Sequence, residues 1–148
     1  MGYVKVWINL NWSTRNRLPL MTDEVRQRIL DHISGNAVKK NIYLDCINAV
    51  SDHVHALISL GVDQTISKTV QLLKGESSYW ANKEGITRTK FEWQDEYFAD
   101  SVSETMLETV RNYIRDQEEH HRKKTFKEEY EGFLKQSGYP TYLGGTRI

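Results

Sequence analysis

The 148-residue chain has one cysteine, two prolines and no excess of either charge, with 20 Lys and Arg balancing 20 Asp and Glu. The single cysteine, Cys46, excludes a disulfide framework and a cysteine-based metal cluster, and it fits a reducing, cytoplasmic setting. It lies inside the apolar segment IYLDCINAV and reads as a small core residue, not a nucleophile. No apolar run approaches the roughly 20 residues that cross a bilayer, so no membrane segment is expected. The opening MGYVKVW has no apolar signal region, and Val6 stands where a myristoylation motif after Gly2 needs Ser or Thr. Zero net charge removes the global field of a general duplex-DNA binder, so phosphate contacts would have to come from local basic groups. Those groups are Arg15 and Arg17, Lys39 and Lys40, Arg88 and Lys90, and Arg122 to Lys124. By composition alone they are solvated surface.

With 39% hydrophobic and 27% charged residues, the chain has enough apolar material for one domain over 1–148. Val4 to Leu10 alternates apolar and polar residues and predicts a strand, with WSTRNRLPLM as a loop after it. Thr22 is an expected N-cap, followed by Asp23 and Glu24 where acidic groups favour a helix start. Val25, Ile29, Leu30 and Ile33 carry that helix to a stop at Gly35-Asn36. Asn41 to Val50 and Val54 to Leu60 read as strands joined by a turn at Ser51-Asp52, hence an antiparallel hairpin. Ile42, Leu44, Cys46 and Asn48 would share one face of the first. A second helix is expected from Ser67 to about Asn82, ending at Gly85, then a strand over Tyr97 to Val102. A third helix should run from Ser103 to about His121, with a short helix from Thr125 to Leu134 and a tail. The order β-α-β-β-α-β-α predicts an α+β fold: a ferredoxin-like or RRM-like antiparallel sheet with helices packed on one face.

Two constellations carry chemistry. In SDHVHALISL, His53 and His55 sit at i and i+2, so a strand projects both imidazoles to one side, about 7 Å apart along the chain. Two neutral imidazoles so placed can chelate a divalent ion; two surface histidines would give the same pattern. Asp52 would point away from that face in a regular strand. In VRNYIRDQEEHHRKKTF, Tyr113 and Gln117 are four residues apart and lie one turn apart on one helix face. An amide oxygen can serve Mg2+ or Mn2+, and a phenol beside such an ion can act as a covalent nucleophile. A core tyrosine and an exposed glutamine fit the same spacing.

DHVHALISL, a helix with LLKGESSYW, then WQDEYFADSVS and VRNYIRDQEEHHRKKTFKEEYEGFL, together resemble the single-tyrosine HUH transposases of bacterial insertion sequences. That family includes the REP-associated tyrosine transposases, and the resemblance runs from the first strand to about Tyr139. It implies that His53 and His55 are the HUH pair, Gln117 the third ligand of Mg2+ or Mn2+, and Tyr113 the nucleophile. It further implies an RRM-like fold, action on single-stranded DNA with hairpin ends through a 5′-phosphotyrosine, and a homodimer whose tyrosine helix can act in trans. Arg15, Arg17, Lys39, Lys40, Arg88 and Lys90 are then candidate phosphate contacts, and Trp12, Trp80 and Trp93 candidate stacking residues. Ser51 replaces a Pro common before the motif, and Glu96 a Gly in the WQ-x-x-YF block. A domesticated RRM-like nucleic-acid-binding module without transposition, or a small hydrolytic metalloenzyme, would use the same fold.

Overall fold

A computed structural model of the chain describes residues 2–117. The chain divides into two compact units, Met1–Arg115 and Asp116–Ile148. The expected end of the third helix near His121, Arg122 to Lys124, the Thr125–Leu134 helix and the tail lie outside the described residues.

The first unit runs β1 (Val6–Ser13), α1 (Asp23–Lys39), β2 (Tyr43–Ala49), β3 (His53–Leu60), α2 (Ile66–Glu84), β4 (Phe98–Val102) and α3 (Leu107–Arg115), with 3-10 turns at Arg15–Arg17 and Glu104–Met106. The sheet order is β2-β3-β1-β4 and every neighbouring pair is antiparallel. This is the ferredoxin-like arrangement, as the element order predicts. The β2–β3 connection is tight, with the Val50 N–H donating to the His53 carbonyl at 3.0 Å.

One sheet face carries Ile8, Leu10 and Trp12 from β1 and Val54, Ala56 and Ile58 from β3, set opposite one another by the register. The apolar stripes of α1 (Ile29, Leu30, Ile33, Ala37) and α2 (Val70, Leu73, Ala81) close over it, giving the expected face of packed helices. Helix α2 begins at Thr65, whose hydroxyl accepts from the Lys68 N–H at 3.2 Å, and ends at Gly85 with φ +60°. Both ends follow their capping chemistry.

Two boundaries and one strand register depart most from expectation. β1 continues through Asn11, Trp12 and Ser13, because Trp12 is 2% exposed and pairs with Val54 in the core. Helix α1 runs past Gly35 to Lys39: buried Ala37 holds the last turn against the core, and the left-handed residue that ends it is Asn41 (φ 58°). The register of β2 shifts between Leu44 and Cys46, so a bulge at Asp45 reverses the alternation. Leu44, Ile47 and Ala49 therefore face the helix-packed core, while Cys46 and Asn48 pair with Leu57 and His55 on the opposite face. Cys46 is half-buried there; burial first, then neighbouring Asp45, pushes its thiol up to about 11, which keeps it protonated and inert.

A buried lysine fixes the segment between α2 and β4. The Lys74 ammonium, 9% exposed, donates to the carbonyls of Gln94 at 2.6 Å, Asp95 at 3.0 Å and Glu96 at 3.2 Å. Burial lowers its pKa against the opposing pull of Asp95 and Glu96. Lys74→Met keeps the stem and leaves three carbonyls without their donor. It is expected to cost about 2–4 kcal/mol, a fall of roughly 5–15 °C in the melting temperature followed by circular dichroism. Glu96 is not among the positive-φ residues, so the turn has no need of glycine at that position.

Candidate functional site

The opposite face of the sheet is polar. Alternation along β3 sends His53, His55 and Leu57 to it, and β1 contributes Asn9 and Asn11. The register sets Asn11 against His55 and Ser13 against His53. Helix α3 lies over this face. Asn48, the β2 partner of His55, donates its amide to the carbonyls of Ile114 and Arg115, each at 3.0 Å. Arg111 donates to both carboxylate oxygens of Asp45 at 2.8 and 3.0 Å and lies over the Trp7 ring at 5.8 Å. Leu107, Val110 and Ile114 are buried beneath the helix. The Asp45 bulge thus brings forward a carboxylate that holds α3.

That docking brings His53, His55 and Tyr113 together within one chain. The His53 and His55 rings meet edge to face with centroids 5.0 Å apart, and the Tyr113 ring meets His55 at 5.6 Å and 83°. Both histidines are buried, at 0% and 1% exposure. Gln117, helical and buried, belongs to the second unit, one helical turn beyond Tyr113 in the sequence.

Asp52, which a regular strand would have pointed away, is part of the site. It precedes β3 in the turn, and its Oδ1 lies 2.7 Å from His53 Nδ1. Its backbone carbonyl accepts from the Thr14 N–H at 2.8 Å, and its Oδ2 from Arg17 Nε at 3.4 Å. Burial works to raise the Asp52 carboxyl, but the hydrogen bond to His53 and the charge and hydrogen bond of Arg17 work against it, and the group is held below its ordinary value. An ionised Asp52 accepts from His53 Nδ1–H and leaves the lone pair on Nε2, the usual support for a metal-binding histidine. Among the described residues no three His, Cys, Asp or Glu side chains gather as a metal site. Two imidazoles set side by side form a donor pair that fits a divalent ion completed by water or phosphate oxygens.

The model of the family described as "Transposase IS200 like" matches residues 3–117. The chain belongs to the IS200-like transposase family. It is 28% identical over 123 residues to the ISDra2 transposase TnpA of Deinococcus radiodurans, covering 78% of this chain and 87% of that protein. A solved structure of a Deinococcus radiodurans protein described as a transposase superposes with TM-score 0.64 at 26% identity, over 79% of this chain and 95% of the other. The structure of a REP-associated tyrosine transposase bound to a REP hairpin superposes with TM-score 0.63 at 17% identity, over 100% and 96% of the two chains. This last likeness is one of fold.

In this IS200-like transposase the fold separates the basic candidates. Arg15 and Arg17 follow β1 at the His53 end of the sheet, where Thr14 bridges to Trp93. Lys90 belongs to the same end, 4.0 Å from Glu92, and Glu92 also pairs with Arg15 at 3.1 Å. Arg88 lies two residues before Lys90 on the same loop. Lys39 and Lys40 close α1, at the far end of a helix about 25 Å long. All six are exposed. Trp12 and Trp93 are buried edge to face in the core, and Trp80 stacks on His32 at 4.2 Å. No described helix is long and apolar enough to cross a membrane.

Asp100, opposite Asn9 on β4, is pushed up to about 6, mainly by burial, with a hydrogen bond from Asn9 working the other way. A raised carboxyl disfavours the folded state once ionised: the penalty is absent below the unfolded value near 4, grows to about pH 6 and is then constant. Asp100→Asn keeps the Asn9 contact and removes the charge. The variant is expected to melt higher than the parent at about pH 7.5, by up to about 3 kcal/mol of stability, and equally at about pH 4. Melting curves across that range check it.

Proposed function

We propose that this transposase cleaves and rejoins single-stranded DNA at hairpin-marked element ends, with Tyr113 as nucleophile and His53, His55 and Gln117 as ligands of Mg2+ or Mn2+. The observation that carries the reading is the His55–Tyr113 contact, which sets the helix tyrosine beside the strand pair. A transposase of the same fold bound to a REP hairpin supports the choice of DNA.

In the proposed reaction the Tyr113 oxygen attacks the scissile phosphorus and loses its proton. The P–O3′ bond breaks, the leaving oxygen takes a proton as a free 3′-OH, and a 5′-phosphotyrosine remains. A 3′-OH attacking that linkage reverses the bond changes and joins strands. When bound, the divalent ion would polarise the phosphate and draw charge from its oxygens. Asp52 orients His53, while Asn48 and the Asp45–Arg111 pair hold α3 so that its tyrosine faces His55. Arg15, Arg17, Arg88 and Lys90, at the histidine end of the sheet, are the proposed phosphate contacts nearest the chemistry; Lys39 and Lys40 would meet a more distant part of the hairpin. The chain works as one endonuclease domain, in the cytoplasm and as a homodimer, with Gln117 supplied from its own or the partner's helix.

The test is incubation with single-stranded DNA carrying the hairpins that flank the gene, with Mg2+ or Mn2+. A denaturing-gel-stable protein–DNA adduct that disappears with EDTA is the expected result. Tight hairpin binding with no adduct would instead identify a binding module.

A further inference from the structure

We infer that Asn11 is an additional oxygen donor to the divalent ion, a role that rests on the proposed His53/His55 metal site. Asn11 is 0% exposed, and neither Oδ1 nor Nδ2 has a hydrogen-bond partner. Buried amides are normally satisfied, so a carboxamide with both ends unpaired has been kept for something that binds it. Its surroundings limit what that can be. On β1 it stands between His55 of β3 and Phe98 of β4, the direct cross-strand neighbours on its face of the sheet. Directly opposed side chains in an antiparallel pair lie about 4.5–5.5 Å apart at Cβ. Asn11 is therefore a first neighbour of one proposed ligand, and Phe98 offers it no polar group in return.

Asn9, two residues earlier on the same face, makes the comparison. It lies between Leu57 and Asp100 and hydrogen-bonds to Asp100. One of these asparagines is thus tied to a carboxylate, and the other faces the histidines with nothing to bind. A divalent ion carrying a phosphate oxygen is the ligand class that satisfies both ends of the Asn11 amide. The hard carbonyl oxygen coordinates the cation, as amide oxygens do for Mg2+ and Mn2+, and the NH2 donates to the oxyanion.

The experiment is Mn2+ titration of the full chain without DNA, by calorimetry and by the metal-dependent rise in melting temperature. The proteins compared are wild type, His53→Ala, Asn11→Leu and Asn11→Asp. Asn11→Leu is expected to weaken Mn2+ binding by about tenfold or more, while its metal-free melting temperature equals or exceeds that of wild type, because an unpaired buried amide has been removed. Asn11→Asp is expected to melt lower without metal and to gain a larger Mn2+-dependent rise than wild type, since it sets a negative charge against the cation. Wild-type affinity in Asn11→Leu, or an unchanged Mn2+ response in Asn11→Asp, overturns the inference even if one variant folds poorly. Mn2+ binding that His53→Ala leaves intact would instead overturn the metal site itself, so the two failures are distinguishable.

Discussion

Tyr113→Phe is expected to lower covalent capture of hairpin-bearing single-stranded DNA by at least about 10^4-fold, while leaving hairpin affinity and folding unchanged. The substitution removes one oxygen. The ring that meets His55 at 5.6 Å remains, as do the buried Leu107, Val110 and Ile114 and the bonds from Asn48 and Arg111 that hold α3. A loss of adduct in a protein that still melts and binds like its parent would therefore be chemical. The readouts are the adduct on a denaturing gel and the free 3′-OH product on a sequencing gel, set beside a binding isotherm. An adduct that survives would move the nucleophile elsewhere. Tyr97 is a poor substitute, because Phe98 faces Asn11 on the histidine side and Tyr97 packs into the core on the other. Tyr130 lies outside the described residues.

The parts of this site that follow short-range rules could be read from the chain. The histidine pair is a period-2 pattern inside an apolar run, and the run proves to be the buried central strand β3. Thr65 and Gly85 bound α2 by local capping, and the hairpin follows from two strands with a three-residue break. What could not be read depends on distant packing. Asn9 and Asn11 look like the wet side of an alternating strand, yet they are 1% and 0% exposed, which nothing local to β1 signals. Asp52 escapes the alternation because it lies in a turn, and the Thr14 and Arg17 contacts that aim it come from another loop. The Asp45 bulge moves the core face from Leu44 to Ile47 and Ala49, a change of phase that adjacent Cys46 and Ile47 leave open in the sequence. It is needed all the same, since it puts Asn48 and Asp45 under α3. Gly35 looks like a helix stop at a cost of about 1 kcal/mol, which burial of Ala37 in the core outweighs.

His53→Ala and His55→Ala should each abolish metal-dependent cleavage, and Asp52→Ala should lower metal affinity and cleavage about 10–100-fold without abolishing them. The grading follows from where each group acts. The imidazoles are the buried donors on the sheet face, and removing either one leaves the pair unable to chelate. Asp52 touches only the far nitrogen of His53, so its loss frees the ring to turn and to take the other tautomer, while Nε2 remains available for part of the time. Asp52→Asn separates two components of this support, since its Oδ1 can still accept from Nδ1–H but carries no charge. It should fall between Asp52→Ala and the parent. Because the Asp52 carboxyl is held below its ordinary value in the folded state, its contribution to stability is fully present above about pH 4 and is lost as pH falls through the lowered value. The Asp52 variants should therefore differ from the parent in melting temperature at neutral pH and converge with it in acid. Metal affinity by calorimetry, cleavage rate and melting temperature against pH together check the order. A Asp52→Ala protein as inactive as His53→Ala would mean that the carboxylate does more than orient the ring, and one as active as the parent would mean that His53 is held by its packing alone.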